Sequence, residues 1–170
     1  VAEFVITSWD DVARLQVPED LTGHPAWRET DRCLRVLRSE VGGRHPICAY
    51  ITASTALPAL LMGMEEWMSL LLTGPTAVRD DLLTKCNQFC QLELAAYRAA
   101  GADVLIYSTP FGSPSFLGVR QIKELILPWM RRDLDPGGVA GIVYYCGMAP
   151  FNPVIGLVRE ELGIGAYYIS

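Results

Sequence analysis

The chain has 170 residues, 51% hydrophobic and 19% charged, which fits one core-forming domain and excludes a disordered chain. Lys plus Arg number 14 against 19 Asp plus Glu, and a net charge of −5 offers no broad basic face to a phosphate backbone, so nucleic acid is not an expected partner. Cys33, Cys48, Cys86, Cys90 and Cys146 form no regular framework and read as reduced thiols of a cytoplasmic protein. No apolar run approaches the ~20 residues of a membrane span, no basic-then-apolar leader opens the chain, and a start at Val1 suggests a piece of a longer protein.

In chain order, Phe4-Val5-Ile6 is a short apolar run, and Thr7 or Ser8 is placed to cap a short helix through Leu15 that Pro18 stops. From Pro25 to Val41, Trp27, Cys33, Leu34 and Leu37 recur among four arginines and predict an amphipathic helix ended by Gly42-Gly43. Residues 47–51 read as a buried strand, followed by a polar turn, Thr52 to Thr55, and a short helix to Met62. Gly63 separates this from a helix over Met64–Leu72, and Pro75 opens a long helix that ends at Gly101. Within it, Cys86 and Cys90 share a face as small packing residues. The second strand is 103–107, then a loop from Ser108 to Ser115 and a helix from about Gly118 to Leu134. Arg131-Arg132, with Asp133 and Asp135 after them, read as the solvated end of that helix. The third strand is 141–145, the last helix carries Val154, Ile155, Val158 and Leu162 on one face, and 166–169 is a fourth strand.

Apolar strands alternating with amphipathic helices predict an α/β fold with adjacent parallel strands, of the (β/α) TIM-barrel type, in a single domain over residues 1–170. Four strands are only part of a barrel that closes with about eight. Ligands of such folds bind beyond the carboxyl ends of the strands. That rule selects Thr52 to Thr55, Ser108 to Ser113, Cys146-Gly147-Met148 and Ser170. Ser108, Thr109 and Cys146 are the catalytic candidates, and Thr52, Ser54, Tyr107 and Tyr144 the substrate-binding ones; Thr52, Ser108, Thr109 and Cys146 are expected to face one mouth. His24 and His45 lie beside prolines before the first strand and read as surface residues, so no Ser-His-Asp triad can be assembled from these loops. A phosphate-binding glycine fingerprint is absent as well.

The order of long helix, Ala99-Ala100-Gly101-Ala102-Asp103, strand, Ser108-Thr109-Pro110, loop, helix and Leu127-Pro128-Trp129 resembles the middle of the uroporphyrinogen decarboxylase superfamily. Gly63-Met64-Glu65 resembles its "G-x-E" helix opening, and Glu160-Glu161-Leu162-Gly163 a later segment before a strand. The resemblance implies a closed barrel with its site at the C-terminal mouth, a small-molecule, tetrapyrrole or corrinoid ligand, a corrinoid protein as partner in one branch, and room for a homodimer. Decarboxylases of the superfamily remove acetate carboxylates from a tetrapyrrole in porphyrin biosynthesis without a cofactor; the other branch uses zinc to move methyl groups from corrinoid proteins to a thiol.

The decarboxylase strand motif "G-F-A-G-A-P-W-T" is replaced here by Ala49-Tyr50-Ile51-Thr52-Ala53-Ser54-Thr55-Ala56. The decarboxylase tyrosine falls at about Leu60, and its serine at about Thr109. The methyltransferase motif "H-x-C-G" aligns with Tyr144-Tyr145-Cys146-Gly147, keeping the cysteine and losing the histidine. A phenol with a pKa near ~10 replaces imidazole poorly as a zinc ligand. Cys146 is thus a metal-ligand candidate that is not expected to hold zinc alone. The leading expectation is a one-carbon methyltransferase acting with a corrinoid or related cofactor. The alternatives are a uroporphyrinogen decarboxylase and a non-catalytic binding protein on the same barrel.

Overall fold

The computed structural model describes residues 4–134, 142–145, 152–163 and 167–169, the segments 142–145 and 167–169 by their backbone. A 3-10 segment, Trp9–Arg14, follows Ser8 where the sequence predicts a capped helix. The Asp11 carboxylate accepts hydrogen bonds from Thr7 N–H, the Thr7 hydroxyl and Ser8 N–H at 2.9 Å each, and these hold its pKa down to about 2.

Helix α1 spans Pro25–Val41, as expected, with a proline in its first turn, where a missing N–H costs nothing. Its buried stripe is not the one expected. Cys33 and Leu37 are exposed, Leu34 is buried, and Trp27 packs edge-on against Tyr97 with ring centroids 5.0 Å apart. Trp27, Leu34 and Arg38 follow one another at seven and four residues, so the contacting face is rotated toward Arg38. Arg38 donates to the Gly101 carbonyl and, at 2.7 Å, to Asp103, whose other oxygen accepts Ile47 N–H at 2.9 Å. These bonds tie α1 to the amino ends of the first two strands.

Strand β1 is Cys48–Thr52, followed by α2 (Leu57–Met62), α3 (Met64–Thr73) and α4 (Thr76–Ala99). Strand β2, Val104–Ser108, leads through a short 3-10 turn at Pro110–Gly112 to a helical run. The expected single helix there is broken in three: α5 (Val119–Gln121), a π-helical turn at Ile122–Ile126, and α6 (Leu127–Leu134). Pro128 lacks the N–H that a regular α-ladder would use, and the ladder is already rewound just before it, with Leu127 N–H reaching Ile122 O. Strand β3 is Ile142–Tyr145, α7 Asn152–Leu162 and β4 Tyr167–Ile169.

The four strands lie in the order β1-β2-β3-β4, and every neighbouring pair is parallel. This is the predicted arrangement. Ala49, Ile51, Leu105 and Tyr107 are buried with Trp67, Leu70, Leu82, Leu83, Cys86 and Cys90 in the main core, so one face of β1 and β2 meets the helices. Cys86 and Cys90 pack there together, as the sequence suggests. Cys48 and Tyr50 alternate onto the opposite face and are exposed. In a closed barrel that second face turns inward. No helix among the described residues is long and apolar enough to cross a membrane.

Candidate functional site

Strand register decides which candidate residues stand together. Thr52 pairs with Ser108, Ser108 with Tyr144, and Tyr144 with Tyr168, so these four positions form one row at the carboxyl ends of the strands. Thr52 and Ser108 belong to the face that carries Cys48 and Tyr50, because side chains alternate with a period of two. Ala53 N–H donates to Ser108 O at 2.8 Å and carries the pairing one residue past β1. Cys146 lies outside the described residues; it is the residue that follows Tyr145, the last of β3.

Behind this row the backbone turns under cover. Ser54, Thr55 and Thr109 are fully buried, and among the described residues neither the Thr55 nor the Thr109 hydroxyl has a hydrogen-bond partner. Buried hydroxyls are normally paired, so Thr109, the first residue past β2, carries unused bonding capacity close to the strand ends.

Tyr107 is displaced from the expected substrate-binding group. Its register partner is Ile51, and both are buried on the helix side of the sheet. The Tyr107 hydroxyl donates to Asp133 at 2.5 Å. Asp133 itself corrects a second expectation: it is fully buried rather than part of a solvated helix end, while Arg131 and Arg132 beside it are exposed. Its carboxylate also accepts Ser54 N–H at 2.9 Å and Asn87 Nδ2–H at 2.6 Å. Burial pushes the Asp133 pKa upward, and bonds from Tyr107, Asn87 and Ser54 oppose that shift. One carboxylate thus ties the turn after β1 to α4, β2 and α6. The helical spacing of Ile126, Met130 and Asp133 was the available signal, since all three are buried.

His24 and His45 are exposed, as expected. Among the described residues no group of three or more His, Cys, Asp or Glu is placed to hold a metal ion. Burial pushes the Cys86 thiol up to about 12 and raises Cys90 as well, so both stay protonated and are poor ligands. Cys33 and Cys48 are exposed on separate elements.

The family model described as "Uroporphyrinogen decarboxylase (URO-D)" matches residues 1–164. The chain belongs to the uroporphyrinogen decarboxylase family. Among solved structures, a methyltransferase from Methanosarcina mazei shares the fold of this family member with a TM-score of 0.83 at 17% identity. The match covers 95% of this chain and 46% of that one, so the chain spans less than half the length of that relative. No curated protein sequence matches it. Zinc, which the methyltransferase branch of the superfamily implies, finds no ligand set among the described residues of this family member: Tyr144 holds the histidine's position and the two core thiols are buried.

Proposed function

We propose that this chain supplies one wall of the mouth of a uroporphyrinogen decarboxylase-family barrel, and that the full-length protein is a one-carbon methyltransferase acting with a corrinoid or related cofactor. The observation that carries this reading is the row of Thr52, Ser108 and Tyr144 at the carboxyl ends of β1, β2 and β3, with Cys146 following β3 in the sequence. A cysteine next in sequence after a strand, beside a row of hydroxyl-bearing positions that holds no carboxylate, suits chemistry at sulfur better than proton transfer to a carbon acid. The likeness in fold to the Methanosarcina mazei methyltransferase supports it.

A methylated corrinoid, when bound, would supply the methyl group as an electrophilic carbon with the corrinoid as leaving group. The chain's own residues take simpler roles. Thr52 and Ser108 offer hydroxyls to polar atoms of a ligand, with Ser54 held behind them by Asp133. Cys146 is the catalytic thiol we assign beside the acceptor thiol, whose sulfur would take the methyl group and give up its proton as the carbon–sulfur bond forms.

The test is a pair of assays on the full-length protein. One follows the visible spectrum of methylcob(III)alamin with a small thiol acceptor; the other follows uroporphyrinogen III by chromatography. Methyl transfer that falls on the order of 100-fold or more in Cys146→Ala supports the reading. Decarboxylation without methyl transfer replaces it with the lyase, and tetrapyrrole or corrinoid binding without turnover replaces it with a binding protein.

A further inference from the structure

We propose that an open pocket between α1 and α4, bounded by Glu93, Asp20, Trp27 and Phe89, binds a small organic ammonium ion. The pocket has a volume of about 350 Å³ and is rimmed by His24 and Thr30, and none of the strand-end residues lines it. That volume lies at the lower end of the ~300–1,000 Å³ range of small-molecule sites.

Its chemistry is that of a cation site with apolar walls. Glu93 makes no hydrogen bond or ion pair with any described residue, and burial pushes its carboxyl up to about 7. A half-buried acid with no partner gains most from a positive charge brought beside it. Asp20 stands ready as an anion: it accepts the Thr22 N–H at 2.7 Å and the Thr22 hydroxyl at 2.6 Å, which hold its pKa down. Neither lysine nor arginine lines the pocket, so the two carboxylates are not neutralised from within.

The aromatic part selects the kind of cation. Trp27 is steadied by its edge-on contact with Tyr97, and Phe89 completes the apolar side. Aromatic faces attract ammonium groups through the ring quadrupole and tolerate their methyl or methylene groups. A hard divalent ion wants six or more oxygen ligands, which these walls do not provide. A neutral apolar ligand would leave Glu93 buried without a partner.

Calorimetric titration of the full-length protein tests this with choline and with its neutral carbon isostere, 3,3-dimethylbutan-1-ol. Choline should bind saturably in the range of about 0.1–10 mM, and the isostere about tenfold or more weakly. Glu93→Gln, an isosteric change, and Trp27→Leu should each weaken choline about tenfold. Circular dichroism confirms the fold of each variant, and the isostere comparison on the wild type needs no variant at all. Equal binding of choline and its isostere, undiminished binding to Glu93→Gln, or no saturable choline binding up to about 50 mM overturns the proposal.

Discussion

Replacing Asp133 with alanine strips one acceptor from three donors at once. Ser54 N–H and the Tyr107 hydroxyl are buried and cannot turn to water, whereas Asn87 is only partly covered. The buried Ser54 N–H deprived of its acceptor costs about 1–3 kcal/mol and the lost Tyr107 bond about 1.5–3, together about 2.5–6 kcal/mol, a large share of the ~5–15 kcal/mol that holds a domain together. Removing the buried charge recovers part of its desolvation cost, which places the expected loss near the middle of that range. Tyr107→Phe, which removes one bond to a charged acceptor, should lose about 1.5–3 kcal/mol. The assay is urea unfolding of full-length wild type, Tyr107→Phe and Asp133→Ala, read by circular dichroism.

A pH series adds a second check on the same residue. The folded-state pKa of Asp133 is raised, so folding takes up a proton at this site. Its contribution to stability is therefore full below its unfolded pKa and is lost as pH rises from about 4 through the raised value. Asp133→Asn removes that dependence, and wild type should lose stability relative to it as pH rises. An Asp133→Ala protein within about 1 kcal/mol of wild type, or a difference between wild type and Asp133→Asn that does not change with pH, refutes the network as described.

Gly63 has φ +90°, and a Cβ there would lie 3.1 Å from the Phe4 ring, so Gly63→Ala should cost about 1–3 kcal/mol, seen as a lowered melting temperature; an unchanged melt would show that this turn is not strained. Thiol labelling of the native protein, mapped by mass spectrometry, should modify Cys33 on α1 and spare Cys86 and Cys90 until unfolding; early labelling of either core thiol would contradict their burial.

The strands were legible because each is a short apolar run set off by turn residues, and the structure keeps all four within a residue of their expected ends. The helices were legible from periodicity and their Pro and Gly punctuation, as α1 and α4 show. What the sequence concealed depends on partners far away along the chain. Ser54, Asn87 and Tyr107 lie 79, 46 and 26 residues from Asp133, so beyond its helical spacing from Ile126 and Met130 nothing local reveals the partners of that aspartate. Tyr107 was misplaced because neighbouring Ser108 drew it toward the mouth, although strict alternation sends adjacent strand residues to opposite faces. The face of α1 was misread for a similar reason: its contacts are set by Arg38 reaching Gly101 and Asp103, a polar anchor that hydrophobic spacing does not report.

The strand order, which repeats the chain order, also governs how the molecule can assemble. β2, β3 and β4 each pair with the strand synthesised just before them, so among these four none is inserted later between two paired neighbours. The stretch between β1 and β2 is the longest of the three, and that between β3 and β4 the shortest, a little under half as long. Each doubling of a closing loop adds only about 0.6 kcal/mol of entropy cost. Among these four strands, the closure of β2 on β1 across α2, α3 and α4 therefore carries the largest loop-entropy cost and that of β4 on β3 the smallest, with under ~1 kcal/mol between them.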